Sequence, residues 1–244
     1  MTRRLASAGL SSLMLGGCAA APGAGRRAER PRGSIGHVTL LGDSIFDNGA
    51  YVGRGPDVAA QLRARLGSGW RASLAAVDGH VTADVLTTQL GRTPADASHL
   101  VVSAGGNDAL GSALILSEPA KSVADGVARL AQAQDRFAQT YLRLAKALAA
   151  RRLPTAVCTI YDANYPPPQD RLVTAGLALF NDVITRAAFE HGLSLIDLRL
   201  ICRDPGDYAN AIEPSTQGGA KIAAAIAAFV RSGDHPSTRP QVWT

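Results

Sequence analysis

The sequence predicts one doubly wound α/β domain on a five-stranded parallel sheet, and two observations carry that expectation. From residue 36 onward, short apolar runs alternate with longer stretches of helical periodicity, the order in which strand–helix–strand units assemble a parallel sheet. No segment repeats another, so the alternation describes one domain rather than a solenoid.

The elements follow in order. His37 to Leu41 is a β-branched and aliphatic run closed by Gly42, a first buried strand. Val58 to Leu66 reads as a helix, Trp70 to Val77 as a second strand, and Leu100 to Ser103, ending at Gly105-Gly106, as a third. Ser117 with Pro119 behind it marks the start of the longest helix. Along it Val123, Val127, Leu130, Ala133, Phe137, Tyr141, Leu144 and Leu148 recur in steps of three and four, an apolar stripe suited to packing on the sheet. Pro154 to Tyr161 gives a fourth strand, ended by the Asn164-Tyr165-Pro-Pro-Pro loop, and Leu193 to Leu198 a fifth. Helices over Leu172 to Glu190 and Gly218 to Val230 complete the connections. Any ligand is expected at the C-terminal ends of the strands.

The chain of 244 residues carries 25 Lys and Arg against 20 Asp and Glu. Six arginines and one acid lie in the first 33 positions, which leaves the remaining 211 residues balanced at 19 against 19. A neutral body argues against a nucleic-acid-binding domain, whose charge would cluster on the folded part. With 46% hydrophobic and 18% charged residues, disordered, collagen-like and disulfide-dense classes are excluded. No run of eighteen apolar residues occurs, so no membrane-spanning helix is expected.

Residues 1–17 have the layout of a secretory signal: Arg3 and Arg4, a weakly apolar stretch from Leu5 to Leu15, then small residues. Leu15-Gly16-Gly17-Cys18 resembles the lipobox of bacterial lipoproteins, which implies lipidation at Cys18 and anchoring in the cell envelope. Residues 18–35 suit a flexible basic tether, 36–232 the domain, and 233–244 a tail. A translated leader upstream of a cytoplasmic enzyme beginning near His37 is the alternative. Cys158 and Cys202 show neither a Cys-x-x-Cys nor a metal-ligand spacing. Buried free thiols are expected, or a pair if the protein is exported.

Chemistry concentrates at three strand exits. The first reads Gly42-Asp43-Ser44-Ile45, placing a serine where a nucleophile is exposed and its own N–H faces a developing oxyanion. The third strand exits at Gly105-Gly106-Asn107-Asp108, where the asparagine amide can aim at the same point; between them Asp78-Gly79-His80 offers a glycine N–H. Three donors around one serine suit acyl transfer. Asp43 is expected to order the Ser44 turn, Asp47 or Asn48 to cap the next helix, and Asp108 to fix the Asn107 loop.

These blocks resemble the SGNH, or GDSL-type, hydrolase superfamily. Gly42-Asp43-Ser44-Ile45 stands where the family has Gly-Asp-Ser-Leu, Gly79 matches its second-block glycine, and Gly105-Gly106-Asn107-Asp108 its Gly-x-Asn-Asp. The resemblance spans residues 37 to 230 and implies a flavodoxin-like three-layer sandwich hydrolysing an ester or O-acyl group. Ser44 would be the nucleophile, and the Ser44 and Gly79 N–H groups with the Asn107 amide the oxyanion hole. Gly-x-Ser-x-Gly is absent, which removes the ordinary α/β-hydrolase elbow.

The fourth block departs from the family's Asp-x-x-His. Here Glu213 occupies the histidine slot and Asn210 the aspartate slot. Three states of the site fit. Glu213 is the base, its pKa lifted by burial and its carboxylate oriented by Asn210; or His80 or His235 reaches the serine; or the site is inactive and binds an acyl or carbohydrate ligand. His37, His99 and His191, at strand starts or a helix end, read as surface or capping residues, and Asp204 and Asp207 as solvated loop acids near the active edge. The expected partner is a small-molecule ester or an acylated carbohydrate or lipid, with no cofactor, no metal and no nucleic acid. Membrane contact would come only through the anchor, on a monomer.

Overall fold

The computed structural model describes residues 36–232 and 241–244. The calls on the signal segment, on Cys18, on the tether and on His235 therefore lie outside the described residues.

Six parallel strands run in the order β2-β1-β3-β4-β5-β6: β1 (Gly36–Gly42), β2 (Trp70–Leu74), β3 (His99–Ser103), β4 (Thr155–Cys158), β5 (Ser194–Ile196) and β6 (Val242–Trp243). The first five are those expected, β2, β4 and β5 shorter and β1 and β3 slightly longer than their apolar runs. The sixth corrects the five-stranded expectation: part of the presumed tail pairs with the open edge of β5, Leu195 and Asp197 donating to the carbonyls of Gln241 and Trp243 at 2.7 and 2.8 Å. An edge strand has unpaired backbone groups to offer, and two residues suffice to take them.

Every central strand alternates between two cores. Val38, Leu40, Val101, Ala156 and Ile196 face α1 (Val58–Leu66) and a C-terminal helix, Thr216–Arg231. Leu41, Leu100, Val102, Val157 and Leu195 face two long helices, Val123–Ala150 and Gln169–Glu190. The period-2 pattern thus buries both faces, which makes a three-layer sandwich.

Between β2 and β3 the chain forms a helical turn, α2 (Thr82–Asp84), a π-helical turn at Val85–Gln89 and a 3-10 turn at Leu90–Arg92. After β3 come α3 (Gly106–Gly111) and a 3-10 turn at Ala113–Ser117. The long helix α4 (Val123–Ala150) starts later than expected. Ser117 donates its hydroxyl back to the Leu114 carbonyl at 3.0 Å, and Ser122 is the cap, accepting the Asp125 N–H at 3.1 Å. Along the α4 stripe, Ala133, Phe137, Tyr141, Leu144 and Leu148 are buried while Val123 and Val127 are exposed. Each large buried side chain there contributes roughly 1.5–3 kcal/mol.

Helix α5 (Gln169–Glu190) is long and apolar enough to span a bilayer, with mean hydropathy 1.3, which the sequence expectation overlooked. It packs on the sheet instead, through Phe180, Val183, Ile184 and Ala187. After β5, a short α6 (Leu198–Ile201) precedes a 3-10 turn at Pro205–Asp207 and α7 (Thr216–Arg231).

The chain passes from β1 outward to β2, then returns across β1 to β3. Loops leaving β1 and β3 therefore diverge, and the crevice between them is where an open parallel sheet binds its ligand.

Candidate active site

The divergence is set by two glycines. Gly42 closes β1 at φ 136°, and a Cβ there would lie 1.9 Å from the Ser103 carbonyl oxygen of the neighbouring strand. Gly105 leaves β3 at φ 122° with Phe137 of α4 packed over it. No L side chain adopts these angles cheaply, and in the first case none fits.

Ser44 sits two residues beyond Gly42 and is 7% exposed. Its turn is held by Asp43, whose carbonyl accepts the Phe46 and Asp47 N–H groups at 3.1 Å and whose Oδ1 accepts the Ile45 N–H at 3.1 Å. That role is the one expected of Asp43. Burial pushes its carboxyl up to about 7; the Ile45 N–H opposes this, and the Glu213 and Asp108 charges add to it.

The Ser44 hydroxyl donates to Glu213 Oε1 at 3.1 Å, across 169 residues of sequence. Glu213 is 6% exposed, and its Oε2 has no hydrogen-bond partner among the described residues. Desolvation raises its pKa, the Ser44 hydroxyl lowers it, and Asp78 raises it.

The loop that delivers Glu213 is tightly built. Tyr208 and Pro214 form an antiparallel bridge, and the Ala209 N–H donates to the Glu213 carbonyl at 2.8 Å. Asn210 Oδ1 accepts the N–H groups of Ile212 and Glu213, both at 2.9 Å. Asn210 thus acts on the backbone of the Glu213 turn and not on its carboxylate, a correction to the expected orienting contact. Tyr161, which the sequence did not single out, donates its hydroxyl to the Ile212 carbonyl at 2.6 Å.

Asp207 is fully buried, unlike the solvated acid expected there. Its carboxylate accepts the Arg203 and Asp204 N–H groups at 3.0 Å, Gln217 at 3.1 Å and the Lys221 ammonium at 2.8 Å. These bonds hold its pKa down against desolvation. Its carbonyl accepts the Ser215 N–H at 2.8 Å, and Ser215 in turn caps α7. Asp204 is exposed and pairs with Lys221. Both acids anchor the loop from behind.

Asn107 donates from Nδ2 to the His80 carbonyl at 2.9 Å, which ties the third strand exit to the second and leaves one amide hydrogen unused. Asp108 accepts from the Thr82 N–H and hydroxyl at 2.9 Å, as expected of a loop anchor. Asp47 accepts the Asp78 N–H rather than capping α1; Asp57 caps that helix, with Asn48 accepting the Val58 N–H. Gly79 takes φ 80°. Among the described residues, neither the Ser44 nor the Gly79 N–H donates to any acceptor. Ser44 is buried, where an unpaired N–H is rare in native structures, whereas Gly79 is exposed.

The histidines among the described residues are otherwise engaged. His80 Nδ1 meets Gln89 Nε2 at 3.0 Å. His37 is buried, not a surface residue: its Nε2 lies 2.6 Å from Ser73 and its Nδ1 3.0 Å from Asp96, at the far end of β1 from Ser44. His99 packs on Trp70, and His191 caps α5. Cys158 and Cys202 are buried and free, and burial pushes the Cys202 thiol up to about 12.

Ser44, Asn107 and Glu213 border one cavity of about 370 Å³. The rest of its wall is chiefly apolar: Leu116, Ile160, Leu172, Val173, Leu177 and Phe180. Leu110, Leu116 and Leu172 both line it and emerge at the surface. Chemically the site offers a hydroxyl bonded to a partner-poor carboxylate, the serine's own unpaired N–H, and an apolar chamber.

A parallel sheet in this strand order, with a serine at the β1 exit and an asparagine at the β3 exit, has the SGNH hydrolase fold. The chain belongs to the GDSL-like lipase/acylhydrolase family, whose model matches residues 40–221. No curated protein matches the chain. Among solved structures it is similar to the extracellular lipase of Streptomyces rimosus, at 18% identity and TM-score 0.58 over 79% of this chain and 99% of that one. It is also similar to phospholipase A1 of Streptomyces albidoflavus NA297, at 20% identity and TM-score 0.54 over 77% and 96% of the two chains. An acetyl xylan esterase, AlAXEase, aligns at 19% identity and TM-score 0.56 over 77% and 96%. At these identities the likeness is one of fold.

Proposed function

We propose that the protein hydrolyses carboxylic esters with an apolar acyl group, using Ser44 as nucleophile and Glu213 in place of the family's histidine as base. The observation that carries this is the 3.1 Å bond from the Ser44 hydroxyl to Glu213 Oε1. A buried carboxylate that accepts the serine proton in the resting state is placed to take it in the reaction, and its raised pKa brings it toward the operating range of a base.

The steps balance as follows. Ser44 Oγ attacks the ester carbonyl carbon while its proton passes to Glu213. The oxyanion is received by the Ser44 and Gly79 N–H groups and the spare Asn107 hydrogen. The C–O bond to the alcohol then breaks, and the alkoxide leaves with the proton from Glu213. Water next attacks the acyl-enzyme, gives a proton to Glu213, and the acid departs as Ser44 Oγ recovers that proton.

The apolar wall supports an acyl chain as occupant, because burying each methylene is worth about 0.8 kcal/mol. The exposed Leu114, Val123, Val127 and Leu172, on or beside the segments that build the cavity, support a substrate drawn from lipid. A fluorophosphonate probe followed by mass mapping tests the nucleophile. Labelling at Ser44 that is lost in Ser44→Ala is expected; folded wild-type protein that takes no label is an inactive binding module.

A further inference from the structure

Gln89 is fully buried and distant from Ser44 in sequence, yet both its amide oxygen and its amide nitrogen bond to segments that carry the site. Its Oε1 accepts the Gly42 N–H at 2.7 Å, and its Nε2 donates to the Gly42 carbonyl at 2.7 Å. The same Nε2 lies 3.0 Å from His80 Nδ1. A backbone N–H only donates and a carbonyl only accepts, so the amide orientation is fixed, and the second Nε2 hydrogen must go to His80 Nδ1 as acceptor. The His80 carbonyl receives the Asn107 amide at 2.9 Å.

The bonds form one line: Gly42, two residues before Ser44; Gln89; His80, next to Gly79; and Asn107. Strand β2 ends at Leu74, whereas β1 runs on to Gly42. Beyond β2 the Val77 N–H still donates to the Gly42 carbonyl at 3.1 Å, and the Gln89 side chain takes the Gly42 N–H and shares that carbonyl. The side chain is presented by the π-helical turn Val85–Gln89, a distortion that recurs at functional sites because it re-aims one side chain.

We propose that Gln89 is the positioning residue of the oxyanion hole, holding the strand exits that carry Ser44, Gly79 and Asn107 in mutual register. This rests on the reading of Ser44 as nucleophile. Gln89 touches no reacting atom, so its loss acts through the donors it aligns, and lowers kcat more than it raises KM.

The experiment is a double-mutant cycle on a p-nitrophenyl ester, with the fold of each variant checked by circular dichroism. Gln89→Met keeps length and burial while removing all the bonds. It is expected to lower kcat by about 10² with KM changed less than threefold, the size of effect seen for loss of an oxyanion donor. In an Asn107→Ala background the same change should cost clearly less than in wild type, because one of the donors it aligns is gone. Losses that multiply in the double variant would overturn the proposal, as would a Gln89→Met effect confined to KM. Should Gln89→Met not fold, His80→Ala, at a half-buried position, cuts the line at its second link and is read by the same cycle. Wild-type protein without esterase activity defeats the nucleophile reading and this proposal together; active wild type with multiplicative losses defeats this proposal alone.

Discussion

Ser44 and Glu213 share a hydrogen bond in which the hydroxyl is donor and the carboxylate acceptor. The bond favours the ionised carboxylate, while burial, the larger influence, favours the neutral acid. The balance leaves Glu213 with a pKa above the ordinary carboxylate range.

Catalysis should follow that titration. The base must be ionised, so kcat/KM is expected to rise with pH through an acid limb lying above the usual range for glutamate. Glu213→Gln should lower kcat on an aryl ester by about 10² or more, with KM little altered. Glu213→His is expected to retain activity near neutral pH. Full activity in Glu213→Gln would remove Glu213 from the mechanism.

Asp43 gives a prediction about stability. Its carboxyl is raised to about 7 in the folded protein, chiefly by burial. An acid with a raised folded pKa binds more protons folded than unfolded, so its contribution is full below about pH 4 and fades as pH rises through about 7. Urea denaturation across this range should show stability falling by at most about 1.4 kcal/mol per pH unit from this group. Asp43→Asn retains an acceptor for the Ile45 N–H and should flatten the decline. An unchanged slope would assign it to other groups.

The cavity gives a third. Gly176 lines it from the middle of α5, and a Cβ there meets no atom within 4 Å. Gly176→Leu therefore enters open space, and replacing a helical glycine adds about 0.5–1 kcal/mol of stability. The side chain occupies acyl space, so the ratio of kcat/KM for a decanoyl over an acetyl ester should fall by about fourfold for each methylene displaced. A stabilised variant with an unaltered chain-length profile would place the acyl group elsewhere.

Much of this molecule was legible in one dimension. Helix α1 runs from Val58 to Leu66 as its pattern indicates, and β1, β3, β4 and β5 coincide with apolar runs because a strand buried on both faces has no polar positions to hide it. The pairing of Asp43, Ser44, Gly79 and Asn107 with strand exits was legible too, since a parallel sheet brings consecutive exits to one edge. A local signal failed at one helix start. Ser117 reads as the cap of the longest helix, but the chain first forms a 3-10 turn at Ala113–Ser117, and Ser122 caps the helix instead.

The sequence by itself determined the doubly wound class, the strand exits and the residues on them, because periodicity and glycine placement are local properties of a chain. Only the tertiary structure decided which distant groups meet. Glu213 reaches Ser44 because its loop is pinned by Asn210, Tyr161 and Asp207. Asp207 is buried because Lys221 reaches back from α7, and Gln89, a residue that reads as solvated on any helix, is turned inward to Gly42 and His80. The longest of these contacts, Ser44–Glu213, joins residues 169 positions apart, and the energy of all of them depends on desolvation and angle, neither of which has a signature in the order of residues.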